Sequence, residues 1–323
     1  MSLAVAAPVG REVADRPIVS VATALMGGSV GIHLRPTDDT SAAARQARAA
    51  AEATLRRIAA WADRLTRFTE TSDLARLNAF PGTRVPVRPT LAACLDWSRQ
   101  AEALSDGIVD VARLDARLAA ERGGDPALAG FRGDRSWSLD RGGRTTYVRR
   151  AAGLRIDLDG VAKGWLADRA LARLDRFHSA VVDADGDIAI RLGPADRWRF
   201  GVADPRATNA DLVELELVGK DRPGGSRFGL ATSGTSIHRW EHDGGTTHHL
   251  IDPRTGRPAE SDVIQATVLA GTARGAEALA KTAVILGTSA AIDVLDHLDV
   301  GGAILLTDHD ELITIGSISR WLA

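Results

Sequence analysis

The chain has one cysteine in 323 residues, Cys94. A lone thiol closes no disulfide within the chain and supplies no thiolate cluster for a metal. Cys94 ends "LAAC", which looks like the cleavage box of a bacterial lipoprotein, but such a box follows an N-terminal signal and this one lies deep in the chain. An excess of one charge is also missing: the formal net charge is −2, and the arginines are scattered among acids. That excludes the basic field that nucleic acid or an anionic membrane would require. No apolar run approaches the ~18–20 residues of a membrane span. The opening "MSLAVAAPVGREVADRP" has neither a basic n-region nor an apolar run long enough for a signal. A cytoplasmic protein with no membrane insertion is the expectation. Neither an internal repeat nor a low-complexity linker divides the chain, which reads as a flexible leader over 1–18 and one domain over 19–323.

What is present is ordinary for a globular protein, with 45% hydrophobic and 25% charged residues. "IVSVATAL" and "SVGIHLRP" alternate as a hairpin broken at Met26–Gly28. An Ala/Arg-rich helix is expected from Ser41 to Leu65, capped by Thr40 or Ser41, then a polar loop "TRFTETSDLARLN". Further helices are expected over Pro89–Leu104 and Leu114–Arg122, strands at "TTYVRR" and "GLRIDL", and a helix from Lys163 to Asp175. Beyond these, strand-like runs "SAVVDADGDIAIRL", "WRFGVADP", "LVELELVG" and "VIQATVLAG" precede helices over Gly275–Leu286 and Ser289–Leu298 and two last strands, "GAILLT" and "ELITIG". Strands in hairpin-length sets predict an α+β fold, with antiparallel or mixed sheets packed with helices.

Single motifs are weak. "DADGD" at Asp183–Asp187 resembles half a calcium loop, but the sixth and twelfth positions are Ile188 and Pro194 instead of Gly and Glu. An acidic turn is the alternative. His238, His242, His248 and His249 are numerous enough for zinc, but "EHDGGTT" reads as an exposed hairpin tip. "GLATSGTS" offers hydroxyls and a glycine after a strand, in a turn that can point backbone N–H groups at a phosphate. Glu277 and Lys281 stand four apart on a helix, as an ordinary surface pair would. "IDLDGVAKGWLADRA", from Ile156, puts Asp157, Asp159 and Lys163 around glycine where a strand is expected to hand over to a helix. Free N–H groups and a dipole end at such a junction suit an anion, and Lys163 adds a point charge. A solvated turn with a helix-capping aspartate is the alternative, and beside a phosphate the neighbouring acids would make sense only with a cation.

The order of these pieces is far more specific than any one of them. "IDLDGVAKGWLADRA", "VVDADGDI", "LATSG", "HHLIDPRTGRP" and "AEALAKTAVILG" together resemble the ApbE family of FAD:protein FMN transferases. "MGGS", "TRFTETSDLARLN" and "SDGIVDV" resemble that family's front half, so the likeness runs from about Val19 to the C-terminus. The resemblance implies an enzyme that binds FAD with Mg²⁺, cleaves the pyrophosphate, and moves FMN onto a Ser or Thr hydroxyl of an acceptor protein while AMP leaves. It implies His249 as the base that takes the hydroxyl proton and Phe68 as the aromatic face on the isoalloxazine. It places Met26, Asp110, Asp157, Lys163, Ser233, Leu250 and Asp252 at FAD, and the Gly160 carbonyl, Glu277 and position 281 at the metal.

Departures from the pattern gather at the metal. The family's helix carries Asp and Thr as ligands one turn apart, and this chain has Glu277 and Lys281. Thr282 is one residue late, about 100° round the helix. Asp159 and Asp185 replace small residues and Asp183 replaces Asn. An FAD pyrophosphatase releasing FMN and AMP, or a non-catalytic flavin or nucleotide binder in which Lys281 has replaced the metal, are the alternative readings. The family's acceptor motif, Asp-Gly-x-Ser/Thr-Gly-Ala-Ser/Thr, is missing from the chain, so an acceptor must act in trans.

Overall fold

The structure, a computed structural model, describes residues 4–5, 17–129, 133–207, 209–221, 225–236, 239–242, 245–296 and 301–323. Its frame is an eight-stranded antiparallel sheet: β1 Val19–Leu25, β2 Gly28–Arg35, β3 Ser179–Ala184, β4 Asp187–Leu192, β5 Ser226–Gly234, β6 Val263–Ala270, β7 Gly302–Thr307 and β8 Leu312–Ile315. The strands lie side by side in chain order, so the sheet is a meander and everything else hangs on its connections. The α+β class with antiparallel sheets is therefore what the chain adopts.

Alternation along the strands divides two cores. Val181, Ile188, Ile190, Leu192, Leu230, Leu269 and Ile304 point one way, where Trp198 and Phe200 of the hairpin Arg197–Ala203/Asp211–Val218 cover them. Ala180, Val182, Ala184 and Ala189 point the other way, against helix α1, Ser41–Leu65. Small side chains on this face let helices approach closely. Ala4–Val5 pairs with Phe200 and Gly201, and the rest of the leader before Pro17 lies outside the described residues.

The long connection from β2 to β3 builds a helical lobe. Helices α2 (Asp73–Ala79), α3 (Pro89–Leu104), α4 (Leu114–Glu121) and α5 (Ala162–Leu171) surround a small sheet of Arg84–Val87, Thr145–Arg150 and Trp137–Gly142. Cys94 is fully buried here, and burial pushes its thiol pKa up. Helices α6 (Ala273–Leu286) and α7 (Thr288–Asp296) connect β6 to β7 and close a further core with Val268, Ala303 and Leu305.

Three expectations are corrected. The loop "TRFTETSDLARLN" contains α2, whose start is fixed by the Ser72 hydroxyl accepting the Ala75 N–H at 2.9 Å. "GLRIDL" is not a strand, because a side chain takes its ladder bonds. Asn78 receives the Ile156 N–H at 2.8 Å and donates to its carbonyl at 2.7 Å, while the Asp157 N–H goes to Val111. "GLATSG" is the end of β5 and not a turn, with Thr232, Ser233 and Gly234 paired to β6.

Candidate active site

Two tight turns start the site. Met26 and Gly27 (φ 57° and 83°) join β1 to β2, and Asp185 and Gly186 (φ 61° and 92°) join β3 to β4, both in the left-handed region that two-residue hairpins need. The register Val30 to Ala184 brings the two turns together at one end of the sheet. A Cβ on Gly28 would lie 2.1 Å from the Asp185 carboxylate, so glycine is what lets them meet. "DADGD" is thus a hairpin, the acidic-turn reading. Asp183 is buried beneath it, accepts the Gly186 N–H at 2.8 Å, and burial pushes its pKa up to about 7.

Across from the turns, α5 and α6 cross closely. A Cβ on Gly164 would lie 2.7 Å from the Ala273 carbonyl oxygen, and Asp168 of α5 accepts the Ala273 and Arg274 N–H groups at 3.1 Å each. This packing turns Glu277 and Lys281 of α6 toward the segment 157–160. Glu277, 3% exposed, accepts the Gly164 N–H at 3.0 Å. Val161 and Ala162 N–H groups go to Leu158. These three N–H groups of the junction are thus already bonded, and what the α5 terminus contributes to the cleft is the Lys163 side chain.

The acids are partnered by side-chain cations. Arg117 of α4 meets Asp157 at 3.1 Å and Asp159 at 2.5 Å, while Lys163 lies 3.5 Å from Asp185 and 3.8 Å from Asp187. Burial alone would lower Lys163, but Asp187, Asp185, Glu277 and Asp159 outweigh it and raise its pKa. Asp159 is lowered, since Arg117 and the two lysines overcome its burial. Burial raises Asp157, Asp187 (to about 6) and Glu277 (to about 8). It lowers Lys281 against the pull of Glu277, Asp159 and Asp187.

The Mg²⁺ ligands implied by the resemblance do not fit this arrangement. Lys281 Nζ donates to the Gly160 carbonyl at 2.7 Å, and a Cβ on Gly160 would lie 2.2 Å from that nitrogen. Thr282 turns its hydroxyl back to Ala278 at 2.8 Å. Among the described residues no three His, Cys, Asp or Glu side chains converge as a metal site. The histidines have separate partners: His242 donates to the Ala120 carbonyl and His248 to that of Ala259, at 3.1 and 3.0 Å. His238 lies outside the described residues.

Two adjoining pockets have Arg117, Asp157, Asp159, Lys163 and Asp185 as a common wall and together make up the cleft. Its polar end is lined by Asp110, Gly160, Ser233, His249, Leu250, Glu277 and Lys281. Its apolar end is lined by Met26, Leu166, Phe68 and Trp240. Phe68 is 77% exposed, with the Arg67 guanidinium 4.2 Å over its ring. Asp110 is held by Arg113 at 2.6 Å, and Arg113 also donates to the Pro253 carbonyl. Asp252 lines neither pocket; its carboxylate is occupied by Arg254, so it shapes the turn after His249.

Sequence reasoning missed Arg117, Glu121, Arg67 and Trp240. Arg113, Arg117 and Glu121 recur at four-residue steps on α4, a one-face signal that was available. Trp240 sits on the hairpin Arg239–His242/Gly245–His248, anchored through His242 to α4, which no local pattern reveals.

Comparison with known proteins agrees with this architecture. The ApbE family model matches residues 26–305. An FAD:protein FMN transferase of Treponema pallidum is 35% identical over 148 residues, 42% of this chain and 39% of that protein. One of Salmonella typhimurium is 31% identical over 163 residues, 49% of this chain and 44% of that protein. The matched stretches thus span less than half of these relatives. The fold is that of the ApbE protein of Thermotoga maritima (TM-score 0.76, 21% identity, 95% of this chain and 100% of that one). The apo flavinyl transferase ApbE of Pseudomonas stutzeri is also alike (TM-score 0.72, 19% identity, 95% and 97% covered). With the family's model matched from Met26 through the cleft to Leu305, the chain belongs to the ApbE family.

Proposed function

We propose that this chain transfers FMN from FAD to a Ser or Thr hydroxyl of an acceptor protein and releases AMP. The observation that carries the reading is the pair of adjoining pockets, one with Phe68, the other with Ser233 and His249, and both with Asp157 and Lys163. In this reading the isoalloxazine lies along the apolar end against Phe68, and the pyrophosphate lies among Lys163, Arg117 and Lys281. His249 takes the proton of the acceptor hydroxyl. The oxygen attacks the FMN phosphorus, the bond to the AMP phosphate breaks, and AMP leaves with the electron pair. Positioning and charge neutralisation are most of what phosphoryl transfer asks of a protein.

Met26, Asp110 and Leu250 belong to the flavin walls in this proposal, and Asp252 holds the turn that carries His249. The named activity of the Treponema and Salmonella relatives supports the reaction class. The acceptor carries the flavinylation motif in trans. Among the described residues no helix is long and apolar enough to cross a membrane, and we place the reaction in the cytoplasm. The reading takes residues 19–323 as one catalytic domain and routes no step through Mg²⁺. Incubation with FAD and a motif-bearing acceptor tests it: AMP and an FMN-sized mass gain on the acceptor are expected. Free FMN and AMP without that gain would instead assign hydrolysis.

A further inference from the structure

We propose that the Lys281 ammonium is a built-in cation of the flavin cleft, standing in the place of a divalent ion, so that the site handles a pyrophosphate without divalent metal. The proposal rests on the flavin reading for its substrate, but its geometry is independent of it. Lys281 Nζ is 2.7 Å from the Gly160 carbonyl, the oxygen that a cation at this junction would need. The side chain reaches it because Gly160 has no Cβ, which would sit 2.2 Å from the nitrogen.

The neighbouring carboxylates each turn one oxygen to a donor or cation of the chain itself. Glu277, one turn earlier on α6, accepts from the Gly164 backbone at 3.0 Å. Asp159 is paired with Arg117 at 2.5 Å, and Asp185 and Asp187 face Lys163 at 3.5 and 3.8 Å. Mg²⁺ demands near-octahedral oxygen at about 2.0–2.1 Å. Recruiting the Gly160 carbonyl would put it within one oxygen of the ammonium, cation against cation. An ammonium has three donors, and with one on Gly160 the remainder can serve carboxylate or phosphate oxygens. The acids that make sense only with a cation thus have three covalently attached ones: Arg117, Lys163 and Lys281.

The test uses the full chain, stripped with chelator and free of flavin, titrated with Mn²⁺ while the electron paramagnetic resonance of free ion is followed. The unmodified protein is expected to leave the free-ion signal undiminished, and Lys281→Thr to take up about one equivalent that Mg²⁺ competes away. Saturable uptake by the unmodified protein that is lost in Glu277→Gln overturns the proposal, whether or not the Thr variant folds. In parallel, FMN transfer in EDTA is expected within about twofold of the rate in Mg²⁺; a fall of about tenfold or more that Mg²⁺ restores contradicts it. Absence of transfer in both arms counts against the flavin reading alone, and the Mn²⁺ titration still decides the proposal.

Discussion

His248 and His249 are adjacent but differently placed, and the bonds of His248 set the two apart. The His248 ring accepts the Leu250 N–H on Nδ1 at 3.2 Å and donates from Nε2 to Ala259, which fixes a neutral ring that burial also favours. It is a brace for the turn, and His249 is the imidazole that lines the cleft. His249→Ala should cut FMN transfer by about 10²–10⁴-fold with FAD affinity nearly intact. Stopped transfer measured beside fluorescence-detected FAD binding checks this, and an equal loss of both would remove His249 as base. Asp183 gives a pH-dependent prediction. Its carboxyl, pushed by burial from 3.8 to about 7, holds its proton more tightly folded than unfolded. That contribution is present at low pH and is lost as pH rises through about 7. Asp183→Asn, which keeps the acceptor for the Gly186 N–H, should therefore stabilise the fold by roughly 2–4 kcal/mol at pH 8 and by almost nothing at pH 4. Denaturant melts of both proteins across that range read the difference directly.

At the scale of elements, the position of α6 decides what the cleft contains. Gly229 of β5 lies under its start: a Cβ there would be 1.9 Å from the Thr272 carbonyl carbon, so backbone rather than a flexible side chain would have to move. Gly229→Ala should cost about 1–3 kcal/mol and shift Glu277 and Lys281 out of register with Gly160 and Gly164. Gly271→Ala, with nothing within 4 Å of the added carbon, should be close to neutral. Chemical denaturation separates the two. The elements themselves were largely legible. Thr40 caps α1, Pro89 opens α3, and the expected strand "GAILLT" is Gly302–Thr307. The failures have different causes: a local Ser72 cap starts α2 inside an expected loop, backbone pairing to β6 extends "GLATSG", and a long-range side-chain bond replaces the pattern of "GLRIDL". Asn78 takes the ladder bonds of "GLRIDL" from 78 residues away, and Asp168 completes the start of a helix more than a hundred residues on.

The whole molecule is a meander interrupted by a lobe, and the cleft lies where the two meet. Residues from the lobe, Arg117, Asp157 and Lys163, face residues from the sheet end, Asp185, Asp187 and Ser233. Spacing in the sequence pointed to Asp157 and Lys163, and the family resemblance pointed to His249. Arg117 and Trp240 stayed hidden, because only the fold brings α4 and the 239–248 hairpin to the same wall. The departures at Asp159 and Asp185 likewise read as surplus negative charge until Arg117 and Lys163 are seen beside them. In the proposed function this cleft passes FMN from FAD to a protein hydroxyl. Mass spectrometry of a motif-bearing acceptor, after incubation with FAD and the purified chain, tests it most directly. One FMN-sized mass gain per acceptor is expected, matched by AMP and absent with His249→Ala. An unmodified acceptor and intact FAD would contradict it.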